Sequence, residues 1–430
     1  MRIAYIAAGA ADMLCGSCIH DNTLAAAMMR QGHEVTLMPT YTPIRTDEED
    51  VSINRVFFGG MNVYLRLKSR LFRRAPRFIH NLLDSPALLN WISRFSSSTN
   101  AQELGELTVS TLQGEDGCQR PELEKLVDWL LLEPKPEIVQ LTNSMYVGFA
   151  RLIKERTGVP VVCAVQGEDI FLEDLVEPYR SEAARLIQER AQDVDGFIAP
   201  CEYYADYMFK SLKAPRERFH VVPLGIYMEG HGEGERPSDG DPFTIAYLAR
   251  MCPEKGFHLL VEAFLSMAAK LGGSEVKLKA AGYLGKRDEP YFQKEVERIE
   301  SAGLRASFEW HGEVTRPEKI RLLRSAHALC VPAVYRDPKG LYALEAMANG
   351  TPAAVPRHGA FPEMIDATGG GVLFEPNSSE AAEEALTHLR NSPEEREELG
   401  RLGAKSVRDL FNDEAMAKAT VSVYQKYVKA

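Results

Sequence analysis

The sequence predicts an α/β protein made of two doubly wound domains, and three observations carry that expectation. Short β-branched or apolar runs alternate with longer helical patterns, as in βαβ units around a parallel sheet. The alternation stops in EGHGEGERPSDGDP, a Gly-, Pro- and acid-rich stretch at residues 229–242, and then starts again. At 430 residues the chain exceeds what one hydrophobic core usually supports, so two large domains fit its length.

In order along the chain, the first series reads RIAYIAA as a strand with TLAAAMMRQ as its helix, then EVTLMP, then EIVQL with YVGFARLIKER. VVCAV follows with a long helix to Asp193, and GFIAP closes the set. The opening IAYIAAGAA faintly imitates a signal peptide, but Asp12 ends the apolar run early, and a buried first strand is the better reading. Residues 48–120 break the pattern with mostly helical material and read as an insertion. The second series runs FTIAYLA, FHLLVEAFLSMAAK, VKLKAAG, YFQKEVERIESAG, SFEWHG, PEKIRLLRSA, ALCVPA, LYALEAMANG, PAAVP and GVLFEP. The expected domains are therefore residues 1–224 and 225–412. Each would place ligands at the carboxyl ends of its strands, and two facing domains would form a cleft.

Composition removes several classes of function. With 45% apolar and 26% charged residues, wholesale disorder is excluded. A net charge of −11 argues against broad nucleic-acid binding, which needs a basic surface. No run approaches about 18 apolar residues, so no membrane span is expected. Seven cysteines, with only Cys15 and Cys18 close together, imply no disulfide framework, and a reducing cytoplasm is the expected setting.

Two constellations carry chemistry. Arg250 ends one strand and Lys255 follows in MCPEKG, ahead of a helix starting near Phe257. Cations at a strand's carboxyl edge and a helix mouth suit an anion, although an isolated Arg/Lys pair is more often surface charge. Further on, YRDPKGLYALEAMANGTPAAVP supplies Asp337, Gly340 and Glu345. Gly340 directly before a helix lets backbone amides, with Leu341 next in line, approach phosphate or sugar oxygens. Glu345, an acceptor-only carboxylate in that helix, suits two adjacent ribose hydroxyls, and Asp337 can address a sugar.

The ordered set RMCPEKG, then VPAVYRDPKGLYALEAMANGTP, resembles the retaining nucleotide-sugar glycosyltransferases of family four, with an acid, seven residues, then Glu, followed by A-M-A-x-G-x-P. Supporting matches occur in CGSCIHDNTLAAAMMRQGHEV, EIVQLTNSMYVGFARLI and DGFIAPCEYYADYM followed by VVPLGI. The resemblance covers nearly all of the chain outside residues 48–120 and implies a GT-B fold. It further implies a UDP- or GDP-sugar donor, an acceptor that the sequence does not identify, and a final helix (413–430) returning to the first domain.

By that resemblance Arg250 and Lys255 hold the donor diphosphate and stabilise it as it departs, with no metal or other cofactor required. Glu345 binds ribose, Asp337 the transferred sugar, the amides of Gly340 and Leu341 the phosphate or sugar, and Gly16 approaches the donor from the first domain. The family usually has Glu at the position of Asp337, one methylene longer, and often has His where this chain has Gln166. Gln cannot act as a base but can fix a hydroxyl. Asn143, Glu168 and Asp169 are candidate acceptor contacts, the last two also readable as caps or solvated loop acids. His20 reads equally as a ligand contact or as an exposed residue of a helix start.

Other signals compete. Cys15-Gly16-Ser17-Cys18 has dithiol spacing but coincides with the family's glycine loop, and no second ligand pair points to zinc. Asp239-Gly240-Asp241 imitates a metal-binding pair, yet reads better as a turn. Residues 64–78 carry Arg66, Arg70, Arg73 and Arg77 at helical spacing with no acid. A solvated face is the first reading, and contact with an anionic membrane surface or an acidic acceptor the second. Another GT-B activity, such as an epimerase or phosphorylase, and a catalytically silent sugar-nucleotide binding protein remain open beside glycosyl transfer.

Overall fold

The computed structural model describes residues 1–9, 15–58, 101–132 and 134–428. Among them, twelve strands form two sheets of six, and every pairing is parallel. The chain divides into two compact units, Met1–Pro223 with Met416–Ala430, and Leu224–Ala415.

The first unit's sheet comprises β1 (Arg2–Ala7), β2 (Glu34–Pro39), β3 (Ile138–Leu141), β4 (Val161–Ala164), β5 (Gly196–Ala199) and β6 (Phe219–Val221), in the order β2-β1-β3-β4-β5-β6. Strands β3, β4 and β5 are buried at every position, which is why they read as unbroken apolar runs: a parallel sheet is covered on both faces. The order reverses between β1 and β3. A reversal of strand order is where doubly wound folds bind ligands, at the carboxyl ends of the strands.

Helices Ala101–Gln113 and Arg120–Leu130 bury Leu112, Leu123, Leu126, Val127 and Leu130. Arg190, 3% exposed, anchors this region by pairing with Glu115 and Asp116, each at 2.8 Å. The basic segment 64–78 lies outside the described residues. Where the sequence suggests one long helix before Asp193, two occur, Asp169–Glu173 and Tyr179–Arg190, the second beginning just after Pro178. Helix Asp413–Tyr424 sends Met416, Ala417, Val421 and Tyr424 into the first unit's core beside Tyr5, Leu24 and Val162. The Tyr424 hydroxyl donates to Gln140 Oε1 on β3.

The second unit's sheet has β7 (Phe243–Leu248), β8 (Val276–Ala281), β9 (Phe308–Trp310), β10 (Ala328–Cys330), β11 (Ala353–Pro356) and β12 (Gly371–Phe374), in the order β12-β11-β10-β7-β8-β9. Its reversal falls between β7 and β10. Tyr247, Phe257 and Phe264 are fully buried beneath it, each contributing about 1.5–3 kcal/mol of apolar burial. Among the described residues, no helix is long and apolar enough to cross a membrane.

Candidate active site

In the second unit, the loops after β7 and β10 meet at the strand-order reversal. The first passes Arg250 and Lys255 into helix Phe257–Leu271 through Gly256, whose φ of +72° suits glycine. A Cβ at Gly256 would lie 1.8 Å from the Pro332 carbonyl oxygen, so only glycine lets the two loops touch backbone to backbone. The Val334 amide donates to the Glu254 carbonyl at 2.8 Å and closes the contact.

Asp337 sits at the centre of this junction and is 1% exposed. Lys255 Nζ lies 2.6 Å from Asp337 Oδ2 and donates to Tyr335 OH at 2.8 Å. Tyr342 OH donates to the same Oδ2 at 2.9 Å, and the amides of Lys339 and Gly340 reach Oδ1 at 3.1 and 3.4 Å. Burial alone would raise the Asp337 carboxyl; the Lys255 ammonium, the Lys339 amide and the Tyr342 hydroxyl outweigh it and hold it at about 2. Burial, and then the same carboxylate, push both tyrosine phenols well above their ordinary value. Arg250 is different: its side chain is 52% exposed, and among the described residues its side-chain contacts are Cys252 Sγ at 3.2 Å and a long 3.9 Å approach to Glu254.

One turn further, Glu345 in helix Leu341–Ala348 accepts from Lys319 Nζ at 2.5 Å. Lys319 is set by a capping box, in which Glu318 takes the Thr315 amide and hydroxyl at 2.8 and 2.7 Å and starts helix Arg316–Arg324.

The first unit holds a second cluster at its own reversal. Asp21, in helix Gly16–Arg30, is 1% exposed. Its Oδ1 accepts from Tyr5 OH at 2.6 Å and Gln166 Nε2 at 2.8 Å, and its Oδ2 from Thr142 Oγ1 at 2.6 Å. His20 Nδ1 lies 3.2 Å from Oδ1. Glu168 folds back, one oxygen on the Ser144 amide and hydroxyl (2.9 and 2.6 Å), the other on the Gln166 amide at 2.6 Å. Asp169 accepts from Tyr204 OH at 2.7 Å, and burial raises its carboxyl. Asn143 caps the turn after β3 by accepting from the Met145 amide at 3.1 Å.

Two family profiles match the chain: "Glycosyl transferase 4-like domain" over residues 22–225 and "Glycosyl transferases group 1" over residues 233–406. The chain belongs to the GT-B glycosyltransferases of family four. Among its relatives, the D-inositol 3-phosphate glycosyltransferase of Paenarthrobacter aurescens is 27% identical, over 86% of this chain and 93% of that one. The MMP α-(1→4)-mannosyltransferase of Mycolicibacterium hassiacum is 30% identical, but the match spans only about half of each chain, at 49%. In fold, the chain is similar to sucrose-phosphate synthase from Thermosynechococcus elongatus (TM-score 0.71, 16% identity, 99% of this chain and 98% of that one). It is also similar to HepE of Anabaena in complex with UDP-glucose (TM-score 0.67, 13% identity, 99% and 100%).

The structure brings Arg250, Lys255, Asp337 and Gly340 to one loop junction, with Leu341 opening the helix there and Glu345 following within it. It gathers His20, Asn143, Gln166, Glu168 and Asp169 at the other sheet's edge. Gly16 is the first residue of its helix, with residues 10–14 just before it outside the described set. Asp337 faces Lys255, and Glu168 faces its own loop. Asp21, Thr142, Lys319, Tyr335 and Tyr342 escaped the sequence reading. A signal for Asp21 existed: it is a carboxylate entering the otherwise small and apolar helix run TLAAAMM. Cys15 and Cys18 form no disulfide; Cys18 is buried and Cys15 partly so. Asp241 accepts from the Ser238 amide and hydroxyl, as a turn residue does. Among the described residues, no group of three His, Cys, Asp or Glu could hold a metal.

Proposed function

We propose that this protein transfers a glycosyl group from a nucleoside diphosphate sugar to a hydroxyl-bearing acceptor, with retention at the anomeric carbon. The observation that carries the reading is that a half-exposed Arg250 and Lys255 share the loop leaving β7 at the carboxyl edge of the second sheet, where that sheet's strand order reverses. Lys255 has three N–H donors, of which Asp337 and Tyr335 take two, leaving one for a phosphate oxygen. The Arg250 guanidinium adds a planar fork suited to phosphate. Together these cations stabilise the charge that collects on the leaving diphosphate, the role a metal ion plays elsewhere.

In this reading the bond between the anomeric carbon and the β-phosphate oxygen breaks and the acceptor oxygen bonds to the same face. The acceptor's proton passes to the departing diphosphate, so no side-chain base is required and Gln166 is not a defect. Glu345 keeps one oxygen for Lys319 and offers the other to ribose hydroxyls. HepE, similar in fold, binds UDP-glucose in its crystal structure, which supports a nucleotide sugar as the donor class.

The test is a panel of UDP- and GDP-sugars assayed for nucleotide release and transfer, with product anomers assigned by NMR. One donor should be consumed and its α or β configuration kept. Inverted product would overturn the stereochemical assignment, and absence of both binding and turnover across the panel would overturn the donor class.

A further inference from the structure

Gln166 is 5% exposed, and its Oε1 is buried without a hydrogen-bond partner among the described residues. Its other amide atom is fully committed. That atom lies 2.8 Å from Asp21 Oδ1, 2.8 Å from the Thr142 carbonyl oxygen and 3.2 Å from Thr142 Oγ1. The first two are acceptors that cannot donate, so only the NH2 end can face them. Were the amide reversed, an oxygen would sit against a carboxylate and a carbonyl, and two donors would be left unmade. The amide therefore has one orientation, and Asp21 sets it.

Asp21 is itself held rigidly. Tyr5 and Thr142 donate to opposite oxygens at 2.6 Å, and Tyr5 lies on β1 with no exposed surface. Orphaned acceptors this deep are uncommon in folded proteins, because an unsatisfied buried oxygen costs about 1–3 kcal/mol. Gln166 lies just beyond the end of β4, at the sheet's carboxyl edge where ligands of such folds bind.

We propose that Asp21 is a positioning residue, that Gln166 is the contact residue it orients, and that the pair selects a ligand carrying a hydrogen-bond donor at that point. A sugar hydroxyl satisfies the orphaned oxygen. A carboxylate, or a fluorine in place of the hydroxyl, would confront an acceptor backed by a buried anion. The first unit thus reads neutral, hydroxyl-bearing sugars and discriminates against uronates there. This rests on the glycosyl-transfer reading. The hydroxyl can belong to the donor sugar or to the acceptor.

The experiment is a double-mutant cycle on the full chain: wild type, Asp21→Asn, Gln166→Met and both together, each checked for folding by circular dichroism and thermal melting. The readout is kcat/KM with the nucleotide sugar that wild type consumes, and with its monodeoxyfluoro and uronate analogues. Each single change should lower kcat/KM by about 10- to 100-fold, with the double variant no worse than Gln166→Met alone. Wild type should discriminate against one fluoro analogue and the variants should not. A loss seen in donor hydrolysis assigns the hydroxyl to the donor; a loss confined to transfer assigns it to the acceptor. Equal penalties for Asp21→Asn in both backgrounds would reduce it to a structural residue and overturn the proposal, as would indifference to every fluoro analogue. Should no nucleotide sugar be consumed, the glycosyl-transfer reading falls separately, and the pair is read from proton exchange of the Gln166 side-chain amide. Protection in wild type that is lost in Asp21→Asn sustains the positioning role; equal exchange in both overturns it.

Discussion

Each unit buries one aspartate at the carboxyl edge of its sheet, at the strand-order reversal, and each of these carboxylates is 1% exposed. They are stabilised in opposite ways. Asp337 is paired with an ammonium at 2.6 Å and supported by amides and a phenol. Asp21 is surrounded by hydroxyls and an amide, with His20 and Tyr5 its titratable neighbours at hydrogen-bond distance among the described residues. A carboxylate held by a cation fixes charge in place, which suits a leaving diphosphate. One held by neutral donors fixes orientation, which suits the reading of hydroxyls.

The sharpest way to break the comparison is to remove the cations one at a time. Lys255→Met and Arg250→Ala should each cut turnover by about 100- to 1000-fold if both stabilise the departing diphosphate. Their stability effects should diverge. Lys255→Met strands the buried Asp337 charge and should cost about 3–5 kcal/mol in urea unfolding, whereas exposed Arg250 should cost about 0.5 kcal/mol or less. Equal stability losses would mean that Asp337 does not depend on Lys255.

Acid sharpens the same contrast. The folded Asp337 carboxyl is held at about 2, below its value in the unfolded chain. A depressed value contributes stability that is fully present above the unfolded pKa and lost as pH falls through the folded one. The window therefore runs from about 4 down to about 2, and the contribution is about 2 kcal/mol. Unfolding measured across that window should show this component in wild type and not in Asp337→Asn.

The smallest effects compare one donor from each cluster. Tyr342→Phe should cost about 1 kcal/mol, because Lys255 and two amides still serve Asp337. Tyr5→Phe should cost about 2 kcal/mol, because among the described residues no ammonium or guanidinium shares the load at Asp21. Chemical denaturation of the two variants gives the ranking, and a reversed order would contradict the neutral character assigned to the Asp21 cluster.

Much of the fold was legible because parallel strands covered on both faces must be written as apolar runs, and β1, β4 and β7 are. Strand β6, three residues long, gave too short a run to stand out. Arg250, Lys255, Asp337 and Glu345 could be placed at the correct edges because they follow strands or start helices. What could not be read was how each is partnered. Lys255 and Asp337 lie 82 positions apart, and Asp21 and Gln166 lie 145 apart, so no local pattern announces either pair. Glu168 shows the cost of local reading: an acid after a strand looks available, yet it folds back on Ser144, 24 positions upstream.

The return of Met416–Ala430 to the first unit orders events on the ribosome. Synthesis runs from the amino end, so every residue of the second unit, up to Ala415, emerges before the segment that completes the first. Until Tyr424 takes its place beside Tyr5 and bonds Gln140, the core of the first unit is incomplete. The unit that begins the chain is thus completed only by residues that follow the whole of the second in sequence.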